Sequence, residues 1–180
     1  MFCFSAFSPP QGVYRWDYKL LIDPVGANNV YPSIATSTTI KKLVNILRPN
    51  KDEMKNKRAD AEKKKVKLIA WVVMAGKEDN DFDYHLVLKS LTGNDSMIAE
   101  IPDPEQVKLK GFPNLKKDYS KGRAFVERAV DNNPGSVRPV DHPVKVNITG
   151  IVFFDKTAHG KGHSKNGVEI HPVLKISPAQ

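Results

Sequence analysis

The chain has 180 residues, of which 40% are hydrophobic and 27% charged, with a formal net charge of +8. This composition fits one globular domain with an appendage and excludes a low-complexity disordered chain. Cys3 is the sole cysteine, which excludes both an intramolecular disulfide framework and a multi-cysteine zinc site.

No apolar run approaches the roughly 20 residues that span a bilayer as a helix, so no membrane partner is expected. Met1–Pro10 is apolar but lacks the positive start of a secretory signal, and a cytoplasmic location is the expectation. The positive charge is segregated. Residues 41–67 carry a balance of +7 and residues 108–123 a balance of +5, so the remainder is acidic at −4. Segregated basic charge can attract a polyanion through counterion release, although a lysine run also serves simply as a solvated face.

In chain order, residues 1–36 read as irregular, punctuated by Pro9-Pro10, Asp23-Pro24, Gly26 to Asn29 and Tyr31-Pro32. Within them Tyr14, Trp16, Tyr18, Leu20 and Ile22 alternate and predict one edge strand. Thr38 or Thr39 caps a short helix carrying Ile40, Leu43, Val44 and Leu47, which Pro49 stops. Asn50 with Glu53 forms a capping-box pattern for a second, charged helix to about Lys65, with almost no apolar stripe and hence expected to be solvent-exposed.

From Val66 the period changes to that of strands. Val66–Ala75, Asp83–Lys89 and Ser96–Ile101 read as three strands, the last stopped by Pro102 and Pro104. Leu115–Val130 has helical spacing, and Val144–Phe154 and Val168–Ile176 read as two further strands. The expected fold is therefore mainly β with α: an OB-like five-stranded barrel in the order β-β-β-α-β-β over residues 66–176. An irregular and helical N-terminal extension over residues 1–65 precedes it.

Four stretches carry a resemblance: Asp81-Phe-Asp83-Tyr-His85-Leu-Val-Leu, Met97-Ile-Ala-Glu100-Ile-Pro102, Thr149-Gly-Ile-Val-Phe-Phe-Asp155 with His159-Gly160, and Asn166-Gly-Val-Glu169-Ile-His171-Pro-Val-Leu174. Over about residues 66–176 the chain resembles a family of small uncharacterised bacterial OB-fold-like proteins with D-x-D-x-H-L-V-L, M-I-x-E-x-P, F-F-D-x-x-H-G and N-G-x-E-x-H-P-V-L motifs. The resemblance implies a shared domain and site, with no activity attached. Lys161 stands where members often have Gln, and Gly162-His163-Ser164-Lys165 replaces a Gly-Val-Ala-Pro run.

The same stretches hold the candidate site. Asp81, Asp83 and His85 fall on one face of their strand, and Glu169 and His171 on one face of theirs. Glu100 lies between Ala99 and Ile101, where a carboxylate needs a partner. Asp155 and His159 follow the fourth strand, and Asn166 lies in the glycine-rich loop after it. The candidate ligand-binding residues are thus Asp83, His85, Glu100, Asp155, His159, Asn166, Glu169 and His171. His85, His159, Glu169 and His171 are the candidates for acid–base catalysis, and His85, His159 and His171 for ligating a divalent metal. Trp71, Tyr84, Phe153 and Phe154 sit in apolar runs and read as core.

Three readings follow. The first is an OB-like binding module for single-stranded nucleic acid or another polyanion. The alternative is a metal-dependent hydrolase of phosphodiesterase or nuclease type built on the histidine–carboxylate set. The third is an interaction module in which the polar set only braces the barrel.

Overall fold

The computed structural model describes residues 15–79, 81–108, 112–131, 135–156 and 161–180. Six strands form one sheet: β1 (Thr36–Ser37), β2 (Lys65–Lys77), β3 (Tyr84–Lys89), β4 (Ser96–Ile101), β5 (Arg138–Phe154) and β6 (Val168–Pro178). Their order is β1-β2-β3-β4-β6-β5, and β2 also pairs with β5, so the sheet returns on itself as a ring. All pairings are antiparallel except β1 with β2 and β4 with β6.

Two long strands make this closure possible. In β2, Val66, Leu68, Ala70 and Val72 point into the ring while Lys67, Ile69 and Trp71 point out, the alternation expected of a strand with one wet face. A bulge between Val72 and Met74 interrupts the pairing of β2 with both β3 and β5. β5 is bent against β6 at Gly150, where a β-carbon would run into the Ile170 side chain and the Pro172 carbonyl.

Between β4 and β5 lie α4 (Pro104–Lys108) and α5 (Pro113–Ala129). Pro113 opens α5, and Leu115, Tyr119, Gly122, Phe125 and Val126 form its buried stripe against β6 and β4. The Tyr119 hydroxyl donates to the Leu20 carbonyl at 2.9 Å, tying α5 to the N-terminal segment.

That segment departs from expectation. Trp16–Lys19 is a helical turn, α1, rather than an edge strand. Arg15 and Leu21 adopt left-handed backbone at its two ends, and Trp16, Lys19 and Leu20 are buried together on the i, i+3, i+4 face. The alternating aromatics imitated a strand period. A π-helical turn follows at Gly26–Val30. β1 then adds a sixth strand that the sequence did not suggest.

Thr39 caps α2 (Ile40–Leu43), its hydroxyl accepting from the Lys42 amide. Asn50 and Glu53 form the capping box of α3 (Lys51–Met54), a single turn, and a 3-10 turn at Asp60–Lys63 follows where a long charged helix was expected. The cause is ionic. Arg58 is fully buried and pairs with Asp23 at 2.6 Å, while Glu62, also buried, accepts from Arg15 at 2.6 Å and from the Phe154 amide at 3.1 Å. Both groups are thus drawn inward by partners far away in the chain. The hydrophobic core runs unbroken from Trp16, Leu20, Ile40 and Met54 to the ring interior at Leu86, Ala99 and Ile148. Among the described residues, no helix is long and apolar enough to cross a membrane.

Candidate functional site

On β3, Tyr84, Leu86 and Leu88 face the core, and His85 and Val87 face outward. The outward faces of β4 and β6 continue this layer, since His85 stands opposite Glu100, and Ile98 is paired with Glu169. Phe153 of β5 lies opposite Glu169. Val87, Ile98 and Phe153 are buried yet stand outside the main core cluster, which marks a second covered layer on the outer face of the ring. Lys19 of α1 covers it at one side. The turn after Lys161 covers it at another: Gly162 has a φ of +88° and lies against Val87, where a β-carbon would collide.

Within this layer the polar groups converge. His171 is 0% exposed. Its Nδ1 lies 2.6 Å from Glu100 Oε2 and 3.2 Å from Glu169 Oε1. Its Nε2 forms an ion pair with Asp83 Oδ2 at 3.3 Å. The other carboxylate oxygen of Glu100 is 3.1 Å from His85 Nδ1, which is also 3.0 Å from Glu78. Lys19 Nζ reaches Glu100 Oε2 at 3.5 Å. Asp83 Oδ1 accepts from the Asp103 amide, and Asp81 Oδ1 from the Asp83 amide.

The electrostatics follow from burial opposed by ion pairing. Burial pushes the Glu100 carboxyl upward, but Lys19 and His171 outweigh it and hold Glu100 well below the ordinary range. Burial lowers His85, yet Glu100 and Glu78 hold it at about 9. Burial and Lys19 both lower His171, and Glu100 and Asp83 overcome them, leaving it well above its ordinary value. Burial, then the Glu100 charge, raises Glu169 to about 7. Burial, then Asp83 and Glu100, raises Asp81 to about 6.

Of the eight residues singled out from the sequence, Asp83, His85, Glu100, Glu169 and His171 meet here. Asn166 does not: its amide donates to the carbonyls of Leu43 and Ile46 and its oxygen accepts from Ser164 and Val168, so it holds the loop to α2. Asp155 contributes its main-chain carbonyl to Arg48, and its charge acts on Lys19 from a distance. His159 lies outside the described residues. Lys19 and Glu78 were not anticipated. A helical reading of Trp16-Asp-Tyr-Lys-Leu would have put Lys19 on the buried face with Trp16; Glu78, in a turn, carries no such signal.

A second surface also escaped the sequence. Trp71 is 36% exposed and Ile69 43%, so neither is core. Trp71 is in register with Lys89 on β3 and Lys145 on β5, Ile69 with Asn147, and Lys67 with Thr149, which in turn faces Lys175 on β6. Directly opposed residues share a face. Lys89 and Lys145 thus flank the Trp71 position, with Lys67 and Lys175 two rows away.

The described elements define a mixed α/β protein with a closed six-stranded sheet. No protein-family model matches the chain, and no curated protein matches it. Among solved structures it is similar to an aspartyl tRNA synthetase from Entamoeba histolytica, with 21% identity over 83% of this chain and 23% of that one, at a TM-score of 0.44. It is also similar to a putative aspartyl-tRNA synthetase from Leishmania major Friedlin, with 16% identity over 84% of this chain and 22% of that one, at a TM-score of 0.43. The chain spans less than a quarter of the length of either.

Proposed function

We propose that the chain is an OB-like module that binds single-stranded nucleic acid across the exposed face of β2, β5 and β3. The order β2-β3-β4, helices, β5-β6 with closure between β2 and β5 supports the OB-like reading. The observation that carries the function is Trp71, an exposed ring flanked in register by Lys89 and Lys145 with Lys67 and Lys175 two rows away. An aromatic platform stacks a base of any sequence, and the ammonium groups track the phosphates. The motif residues behind the bacterial resemblance, His85, Glu100, Glu169 and His171, gather in the covered cluster, which supports reading residues 66–176 as that family's shared domain.

The metal-dependent hydrolase reading requires a metal with a coordination position open to substrate. Asp83, Glu169 and His171 are all buried, with exposures of 2% or less, which favours binding over hydrolysis.

Anisotropy titrations with labelled oligo-dT at two salt concentrations test the proposal. Affinity should fall log-linearly with salt, with a slope of about −0.7 for each phosphate contacted. Trp71→Ala should weaken binding by about 1–3 kcal/mol, the worth of one stacked base. Absence of binding at low salt, or binding indifferent to Trp71→Ala and to Lys67→Gln with Lys145→Gln, removes it.

A further inference from the structure

Beside the Trp71 face lies a groove of about 340 Å³ whose walls include Ser37, Thr38, Lys67, Ile69, Asn147 and Thr149. It is continuous with that face. Ile69, which is exposed, stands two residues from Trp71 on the same side of β2, a step of about 7 Å. β1 forms one wall, because the Thr38 amide donates to the Lys67 carbonyl at 2.9 Å and so holds Ser37 and Thr38 alongside β2. β5 supplies the other, with Asn147 in register with Ile69 and Thr149 with Lys67. Lys175 stands opposite Thr149 on β6, so Lys67 and Lys175 border the groove at the end away from Trp71.

The chemistry of the groove differs from that of the Trp71 end. It presents the hydroxyls of Ser37, Thr38 and Thr149 and the amide of Asn147. The Asn147 Nδ2 donates to the Pro178 carbonyl at 3.0 Å. A carbonyl oxygen can only accept, so this bond fixes which way the amide is turned and leaves Oδ1 as an acceptor. A phosphate is better served by the lysines and a flat base by the indole, whereas neutral donors and acceptors suit a sugar hydroxyl. We infer that the groove receives the ribose of the nucleotide next to the one stacked on Trp71, so that the protein prefers RNA to DNA. The inference rests on the nucleic-acid reading above and deepens it by naming the sugar. The 2′-hydroxyl both donates and accepts, and it is the group by which a protein tells RNA from DNA at a given site. Asn147 Oδ1 accepts its proton, and the Thr149 hydroxyl donates to its oxygen. Lys67 and Lys175 then meet the phosphate on one side of that ribose, and Lys89 and Lys145 the phosphate on the other. A deoxyribose offers Asn147 no donor and leaves both side chains to water.

The test is fluorescence anisotropy of the full chain at low salt with labelled octamers of uridylate, deoxyuridylate and 2′-O-methyluridylate. The three share a base and a phosphate backbone and differ only at the 2′ position. Uridylate should bind about tenfold more tightly than deoxyuridylate, the combined effect of two hydrogen bonds of ordinary net strength. The 2′-O-methyl form should bind no better than the deoxy form, since it has lost the donor. Asn147→Ala combined with Thr149→Val should bring the ratio of the ribose and deoxyribose affinities close to one. Trp71→Ala should weaken all three oligomers by a common factor, because a stacking ring reads the base and not the sugar. The 2′-O-methyl comparison is made on the wild-type protein and so decides the matter even if the double variant fails to fold. Equal affinity for uridylate and deoxyuridylate, binding of the 2′-O-methyl form as tight as that of uridylate, or a ribose preference that persists in the folded double variant would overturn the assignment and leave the Trp71 surface standing. Absence of binding to all three would remove both.

Discussion

Glu100 is the residue on which the outer layer turns. Its two oxygens meet His85 on one side and His171 and Lys19 on the other. A buried carboxylate with three cationic partners is tolerable; the same carboxylate with none is not. The pH dependence of stability follows. His85 has a pKa raised to about 9 from 6.5, so its favourable contribution is complete below about pH 6.5 and is lost as pH rises through 9. Glu169, raised from 4.5 to about 7, binds a proton that the unfolded chain releases, so it also makes stability fall, over about pH 4.5 to 7. Glu100 acts in the opposite sense, its contribution being lost only as pH falls below its ordinary range. Thermal melts should therefore show stability declining from about pH 6 to pH 9. His85→Asn should flatten the upper part of that decline, which is worth up to about 3 kcal/mol in the wild type. A melting temperature rising across pH 7 to 9 would contradict this account.

At the scale of elements, β2 and β5 do most to define the architecture: β2 pairs with β1, β3 and β5, β5 pairs with β2 and β6, and each carries a bulge. Gly150 stands at the bulge of β5 against β6. Gly150→Ala should cost about 1–3 kcal/mol, the range for forcing extra atoms into a packed site, and denaturant titration would measure it. The strands of the ring were legible because a half-buried strand writes its two-residue period into the sequence; Ser96–Ile101 was read to the residue. The N-terminal elements were not. Tyr14 to Ile22 carries a two-residue period that Trp16–Lys19 does not use, since burial of Trp16 with Lys19 and Leu20 selects a helical turn. The charged run after Asn50 had its cap legible and its length misjudged. A hydropathy pattern scores Arg58 and Glu62 as solvent-facing, and only their distant partners Asp23 and Arg15 draw them in.

At the scale of the molecule, these same pairs fasten residues 15–64 to the closed sheet. Glu62 bridges Arg15, the Ala59 amide and the Phe154 amide at the end of β5. Arg58→Ala strands Asp23 in a buried position and should reduce stability by about 3–5 kcal/mol, whereas Lys63→Ala, at an exposed pair, should change it by less than about 1 kcal/mol. Equal effects in chemical denaturation would mean that the N-terminal segment is not integral to the fold.

The amino-acid order alone determined five of the six strands, the main helix, two helix caps and the residue types of the outer cluster, because each is set by neighbours a few positions away. Which of those residues meet was decided by closure of the sheet. Closure set His85 opposite Glu100, ran β6 alongside β4 so that His171 reached both Glu100 and Asp83, left Asn166 to fasten a loop, and turned Trp71 outward among lysines. Lys19 joined them from 81 residues away, since a buried carboxylate takes its counter-charge from whatever the packing brings close, not from what lies near in the chain.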